Sequence, residues 1–388
     1  MEKGKKSYHL LDRHLGIPLT FLLGLVRNRW KKKPTDIRKI AVVNLFSIGD
    51  NVLMSAAIAD LAAAYPRAEL VAFTAKNNHQ LVKLIPGFTE IHKLPIASPL
   101  QTIKLIRSKG RFDIVFDFGS WPRISSLYTF FVKARWKTGF RSHGQFRHYI
   151  YDQKVNYSSS IHEVDNYRTL IKDFCYHPPH PPKINYTATP KVRDFIEMAG
   201  KYCIIHPWPG GYKSHLKQWD NRRWAEMVQK IDKHFDHIVL TGAPGDIEKS
   251  QELESLILDS HPGCKLINAS GMFNLGETAY LLNKASFIIS IDTGISHISA
   301  SFNKPMICLQ GPASSIRWRP YSDNAVVINP DRGTFGYLSF GFEYHKAKED
   351  CMENISVDAV YQAFMRYPGH HGLRTTGVSL LSPPAHSR

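Results

Sequence analysis

Four short stretches put acidic or glycine-rich residues where a strand would hand over to a helix. Phe46-Ser-Ile-Gly-Asp-Asn51 follows an apolar run and sets Asp50 at the start of an Ala-rich helical pattern. A carboxylate there can simply cap the helix, but one facing a cleft can also take a proton from a hydroxyl nucleophile. His206-Pro-Trp-Pro-Gly-Gly-Tyr-Lys-Ser-His-Leu-Lys-Gln-Trp219 joins a strand, a Gly-Gly turn and two lysines. Gly210, Gly211, Lys213 and Lys217 there resemble parts of a phosphate cradle, without the G-x-x-x-x-G-K-[ST] spacing of a P-loop. Thr241-Gly-Ala-Pro-Gly-Asp246 ends a strand on a carboxylate that could bond ribose hydroxyls or cap the next helix. Asp292-Thr293-Gly294 lies between an apolar strand and a short helix, where free N–H groups and the helix dipole favour an anion. Asp292 and Thr293 would equally serve as helix caps. No G-x-G-x-x-G follows a strand, which argues against a dinucleotide oxidoreductase. Together the four stretches point to a nucleotide-linked substrate.

The surrounding pattern supplies elements to hold these turns. Phe287–Ile291 and Met306–Gln310 are short β-branched runs suited to strands buried on both faces, and Ile295, Ile298, Ser299 and Phe302 between them have helical spacing. The same alternation begins at a strand over Ile40–Phe46. It continues through a helix over Asp50–Tyr65, strands at Glu69–Thr74, Glu90–Lys93 and Asp113–Phe118, and a helix near Val164–Phe174. Between Trp136 and Tyr157 the pattern loosens. Tyr176-His-Pro-Pro-His-Pro-Pro182 suits neither helix nor central strand, so 177–189 reads as a stiff linker. Alternation then restarts with Tyr202–His206, a helix over Asn221–His234, Ile238–Thr241, a helix over Gly245–Leu258 and Leu266–Asn268. The expected fold is α/β, with two doubly wound Rossmann-like domains, 40–176 and 190–367, facing a cleft. A last helix, Ser356–Arg366, is able to pack back on the first domain. The Gly-, Pro-, Ser- and His-rich 368–388 is expected to be disordered.

The chain of 388 residues has an ordinary apolar share of 43% but a net charge of +17, which calls for an acidic partner. Its five cysteines form no C-x-x-C pair, against a disulfide framework or zinc site and for a reducing compartment. Residues 1–39 stand apart. Ile17–Val26 is apolar but shorter than the roughly 18–20 residues needed to span a bilayer, and Arg27-Asn-Arg-Trp-Lys-Lys-Lys33 follows at once. This reads as a basic amphipathic segment lying on an anionic membrane surface. Nucleic acid is not expected, because the basic residues concentrate in the prefix rather than interleaving with aromatics.

The order Ile48-Gly-Asp50, His206-Pro207, Lys217-Gln-Trp219, Gly242-Ala-Pro-Gly-Asp246, Asp292-Thr-Gly-Ile-Ser-His297 and Gly311-Pro312 resembles the ADP-heptose:lipopolysaccharide heptosyltransferases, the family 9 glycosyltransferases. The likeness runs from about Ile40 to Tyr367. It implies a GT-B fold and metal-independent transfer with inversion, from a nucleotide-sugar co-substrate such as ADP-heptose, with no cofactor. The acceptor implied is the lipopolysaccharide core or a similar glycolipid, and the location is the inner face of a bacterial cytoplasmic membrane. By resemblance Asp50 is the base and Lys217 contacts the diphosphate. Asp246 contacts ribose, Phe273 packs on the nucleobase, and Asp292, Thr293 and Gly294 hold sugar and phosphate. His297 is weighed equally as a phosphate contact and as a packed core histidine. The loop Pro207–Leu216 departs from the hydroxyl-rich form of better-known members. The alternatives are a GT-B transferase using another nucleotide sugar, and a sugar-nucleotide-binding protein without turnover.

Overall fold

The computed structural model describes residues 12–27, 30–176, 179–211, 213–338 and 351–367. The tail 368–388, residues 1–11 and Asn28–Arg29 of the basic prefix, and His177–Pro178 of the linker lie outside the described residues.

Two six-stranded sheets carry the alternation. The first comprises β1 Lys39–Val43, β2 Glu69–Thr74, β3 Glu90–Lys93, β4 Phe112–Asp117, β5 Ala134–Arg141 and β6 Gln153–Asn156, in the order β3-β2-β1-β4-β5-β6. The second comprises β7 Tyr202–His206, β8 His237–Leu240, β9 Leu266–Asn268, β10 Phe287–Ile291, β11 Met306–Leu309 and β12 Ala325–Ile328, in the order β12-β11-β10-β7-β8-β9. Every strand pairing is parallel. Read from its other edge, the second sheet repeats the first. In each, the chain starts at the centre, winds outward one way, returns and winds outward the other. The reversal falls between β1 and β4 in one sheet and between β7 and β10 in the other, and the crevice at the carboxyl ends of such strands is where doubly wound sheets bind ligands.

Helices cover both faces of each sheet, so the central strands are buried throughout, as Ile40–Val43 and Ile288–Ile291 show. The first sheet hands over to α1 Ile48–Ala64, whose small residues let it lie close to neighbours. Its start, Ser47–Asn51, is therefore held at the carboxyl end of β1.

The loosened stretch Trp136–Tyr157 holds two strands, β5 and β6. Lys137 disguises β5 because it is a buried lysine in mid-strand. Its ammonium donates to the carbonyl oxygens of Thr129 (2.9 Å), Phe130 (2.7 Å) and Val132, capping the end of the preceding helix Arg123–Phe131. Burial lowers its pKa to about 7.

The proline linker is strapped to the first domain. His180 N–H donates to Asp60 Oδ1 at 2.8 Å and Lys183 N–H to Ser55 Oγ at 2.9 Å, both acceptors lying on α1. Buried Arg317 of the second domain donates to Glu163 and to Tyr157 of the first. The last helix, Val357–Met365, packs in the second domain, with Phe364 edge-on to Phe287 at 5.0 Å.

The apolar prefix forms a helix over Gly16–Leu25. Gly16, Thr20 and Gly24 face the first domain, where added Cβ atoms would meet Arg123 Cδ at 2.8 Å and Tyr149 Cβ at 2.9 Å. The large apolar side chains face outward. This helix is apolar on every side and is asymmetric in side-chain size rather than in polarity. Among the described residues no helix is long and apolar enough to cross a membrane.

Candidate active site

A cleft of about 1610 Å³ separates the carboxyl ends of the two sheets. From the first domain it is lined by Ser47–Asp50, Lys76, Lys93 and Trp121. From the second it is lined by His206, Gly210, Gly211, Lys217, Asp246, Phe273, Asp292–Gly294 and His297. Of the residues singled out in the sequence, Asp50, Gly210, Gly211, Lys217, Asp246, Phe273, Asp292, Thr293, Gly294 and His297 therefore share one cavity. Lys213 takes the left-handed backbone conformation (φ 53°) and precedes the single 3-10 turn Ser214–Lys217 that delivers Lys217 to the cleft. Tyr212 lies outside the described residues.

The two helix starts meet head to head. A Cβ on Gly49 would sit 2.7 Å from His297 Cδ2, and one on Gly294 would sit 2.6 Å from Ile48 Cγ2. Both glycines thus allow the first turn of α1 and that of α2, Gly294–Ser301, to touch across the domain interface. The contact brings Asp50 and the Asp292-Thr-Gly turn to the same floor.

Asp50 is 5% exposed and occupies the third position of α1. Its Oδ2 accepts the Ser47 N–H at 3.2 Å and the Ser47 hydroxyl, so the carboxylate is oriented by the cap it completes. Across the cleft, Lys217 Nζ donates to Asp292 Oδ2 at 2.6 Å. This pair sets a cation beside the first turn of α2, whose unsatisfied N–H groups already favour an anion. Among the described residues the buried Thr293 hydroxyl has no hydrogen-bond partner, leaving a donor at the same turn.

His297 lies between the two acidic turns, its Nε2 4.0 Å from Asp292 Oδ1. Burial pushes its pKa down, Asp292 and Asp50 oppose that, and Lys217 adds to it. A neutral, packed imidazole results, able to offer a hydrogen bond but not a cation. His206, at the end of β7, is likewise lowered to about 4 by burial, and its Nδ1 is 3.0 Å from Thr241 Oγ1.

Asp246 accepts the Ala243 N–H at 3.0 Å, with Lys249 Nζ 3.5 Å from its other oxygen. It both caps its helix and lines the cleft, so the two uses weighed from the sequence coexist. Phe273 packs edge-on to Phe195 at 5.1 Å, beneath the Lys191 ammonium. Lys76, Lys93 and Trp121 escaped the sequence reading. Lys93 ends β3, and Lys76 and Trp121 lie just past the ends of β2 and β4, at the same edge as the other four turns.

The profile of glycosyltransferase family 9 (heptosyltransferase) matches residues 103–335. The chain belongs to this family. The family 9 glycosyltransferase is 23% identical over 330 residues to lipopolysaccharide heptosyltransferase 2 of Escherichia coli strain K12, covering 80% of this chain and 90% of that one. It is 24% identical over 331 residues to lipopolysaccharide heptosyltransferase 2 of Salmonella typhimurium strain LT2, with the same coverage. Among solved structures it superposes on a family 9 glycosyl transferase of Veillonella parvula with a TM-score of 0.73 at 21% identity, covering 85% of this chain and 97% of that one. The E. coli ADP-heptose lps heptosyltransferase II superposes with a TM-score of 0.67 at 19% identity, covering 84% and 97%. The two repeated sheets and the cleft between them are thus the GT-B arrangement of this glycosyltransferase.

Proposed function

We propose that the enzyme transfers heptose from ADP-heptose to a lipopolysaccharide core or closely similar glycolipid, by one displacement that inverts the anomeric carbon and uses no metal. The observation carrying this reading is the meeting of Asp50 with the Lys217–Asp292 pair on one cleft floor, each from a different domain. The curated relatives named above are lipopolysaccharide heptosyltransferases, which supports the choice of sugar and acceptor.

In this mechanism the acceptor binds mainly against the first domain and its hydroxyl reaches Asp50. The carboxylate takes the hydroxyl proton as the oxygen attacks the anomeric carbon. The bond from that carbon to the diphosphate oxygen breaks, and its electron pair leaves with the nucleoside diphosphate. Lys217, the N–H groups opening α2 and the Thr293 hydroxyl stabilise the developing charge, the kind of preorganised electrostatics that commonly supplies the largest catalytic share. Phe273 packs on the nucleobase and Asp246 bonds the ribose. Asp292 holds Lys217 and meets the sugar hydroxyls. Gly210 and Gly211 let the backbone approach the phosphates.

The test is transfer from ADP-heptose to a heptose-deficient lipopolysaccharide core, with the product's anomeric configuration read by NMR. Transfer with inversion and unaffected by chelator is expected. Turnover only with a different nucleotide sugar would retain the fold and family and replace the substrate, while binding without turnover would mark a sugar-nucleotide-binding protein.

A further inference from the structure

The prefix helix Gly16–Leu25 is docked inside out, which needs a second partner to explain it. Its small residues occupy the protein-facing side, and Leu15, Leu19, Leu22 and Val26 recur at i, i+4, i+7 and i+11 along one outward stripe. Leu22 is 57% exposed and Val26 74%, and Trp30, just beyond, is 96% exposed. Phe146, reached through the Thr20 hydroxyl to its carbonyl oxygen (3.4 Å), widens the apolar face. Scattered surface leucines need no account, but a continuous apolar stripe does.

The surroundings say what covers it. Arg13, Lys32 and Lys154 are exposed around the stripe. The acidic residues nearby are spent in ion pairs: Asp12 with Arg123, and Asp152 with Arg27 (2.8 Å) and Lys31 (3.3 Å). Large apolar side chains, a terminal tryptophan and a basic rim match the boundary layer of an anionic bilayer, where each signal alone is weak and the two together attach. We infer that this face seats the enzyme on an anionic membrane surface through Leu19, Leu22, Val26 and Trp30.

The placement bears on the reaction. Asp12, one residue turn before the stripe, lines the cleft, and so does Pro122 beside Arg123, on which the helix rests. A membrane-seated face would hold the acceptor side of the cleft near the lipid surface, so a glycolipid could enter without leaving the bilayer. That last step rests on the glycolipid reading above, whereas the seating itself does not.

The experiment is sedimentation of the full chain and of a Leu19→Ser, Leu22→Ser, Val26→Ser variant with vesicles of phosphatidylcholine alone or mixed with phosphatidylglycerol. The full chain should partition at least about tenfold more strongly to the mixed vesicles, and the variant should lose roughly tenfold or more of that binding. Its affinity for ADP should be unchanged, showing an intact fold. Equal sedimentation of variant and full chain, or no preference for the anionic vesicles, overturns the inference. So does a concentration-dependent dimer in sedimentation velocity that the substitutions abolish, which would make the stripe a contact between copies of this chain. Vesicle binding without heptose transfer would sink the functional reading alone; heptose transfer to a deacylated core without vesicle binding would sink this one alone.

Discussion

Replacing Lys217 by alanine should weaken nucleoside diphosphate binding by more than the loss of one contact. Lys217 Nζ lies 2.6 Å from Asp292 Oδ2, and the two side chains are only 22% and 10% exposed. Losing one charge-assisted hydrogen bond to the diphosphate costs about 1.5–3 kcal/mol. The substitution also leaves the Asp292 carboxylate uncompensated at the turn where the diphosphate binds. Two like charges about 6 Å apart at an effective dielectric of about 20 repel by about 3 kcal/mol. Because such terms overlap in a shared site, a combined loss on the order of 4 kcal/mol is expected, close to a thousandfold in Kd. Adding Asp292→Asn removes the repulsive part, so the double variant should bind ADP at least about tenfold more tightly than Lys217→Ala alone. Calorimetric titration with ADP at low salt measures both steps. A double variant that binds no better than the single one, or a single variant of unchanged affinity, would refute the reasoning.

Three further outcomes are expected. Gly49→Ala, whose Cβ would meet His297 Cδ2 at 2.7 Å, should push the two helix starts apart and cost about 1–3 kcal/mol, read as a lower denaturant midpoint. Arg317→Met leaves buried Glu163 without its cation and should destabilise the protein by about 3–5 kcal/mol, with Glu163→Gln on top recovering part. His206 and His162 have pKa values lowered by burial to about 4 and about 3, below the unfolded value near 6.5. The unfolded chain then binds more protons, so stability is complete above pH 6.5 and falls as pH drops toward 4. Urea unfolding at pH 7 and pH 5 should show a loss of a few kcal/mol, and equal stability at the two pH values would contradict it.

Most of the strands and the turns that line the cleft were legible because both follow short-range rules. A β-branched run of five residues bounded by turn residues favours a covered strand, and Asp50, Asp246 and Asp292 stand where a strand gives way to a helix. The rest depended on contacts between distant segments. Lys137 makes β5 look polar, and only the carbonyl oxygens of the preceding helix explain its burial. The requirement for glycine at 49 and 294 comes from the opposite domain in each case. The prefix was legible as apolar and basic, but which side of it faces the protein is set by Arg123 and Tyr149, more than a hundred residues away. The linker read as stiff from its prolines, whereas its anchoring on Ser55 and Asp60 needed the structure.

The central claim is that Asp50 acts on the acceptor while the opposite wall holds the donor, and Asp50→Asn separates the two most directly. An asparagine oxygen can still accept the Ser47 N–H that Asp50 accepts at 3.2 Å, so the helix start is preserved while the base is lost. Steady-state transfer and ADP titration should show kcat falling by about 10²–10⁴ with the ADP affinity unchanged. A folded Asp50→Asn enzyme with full kcat would contradict the account and leave Asp50 as a helix cap.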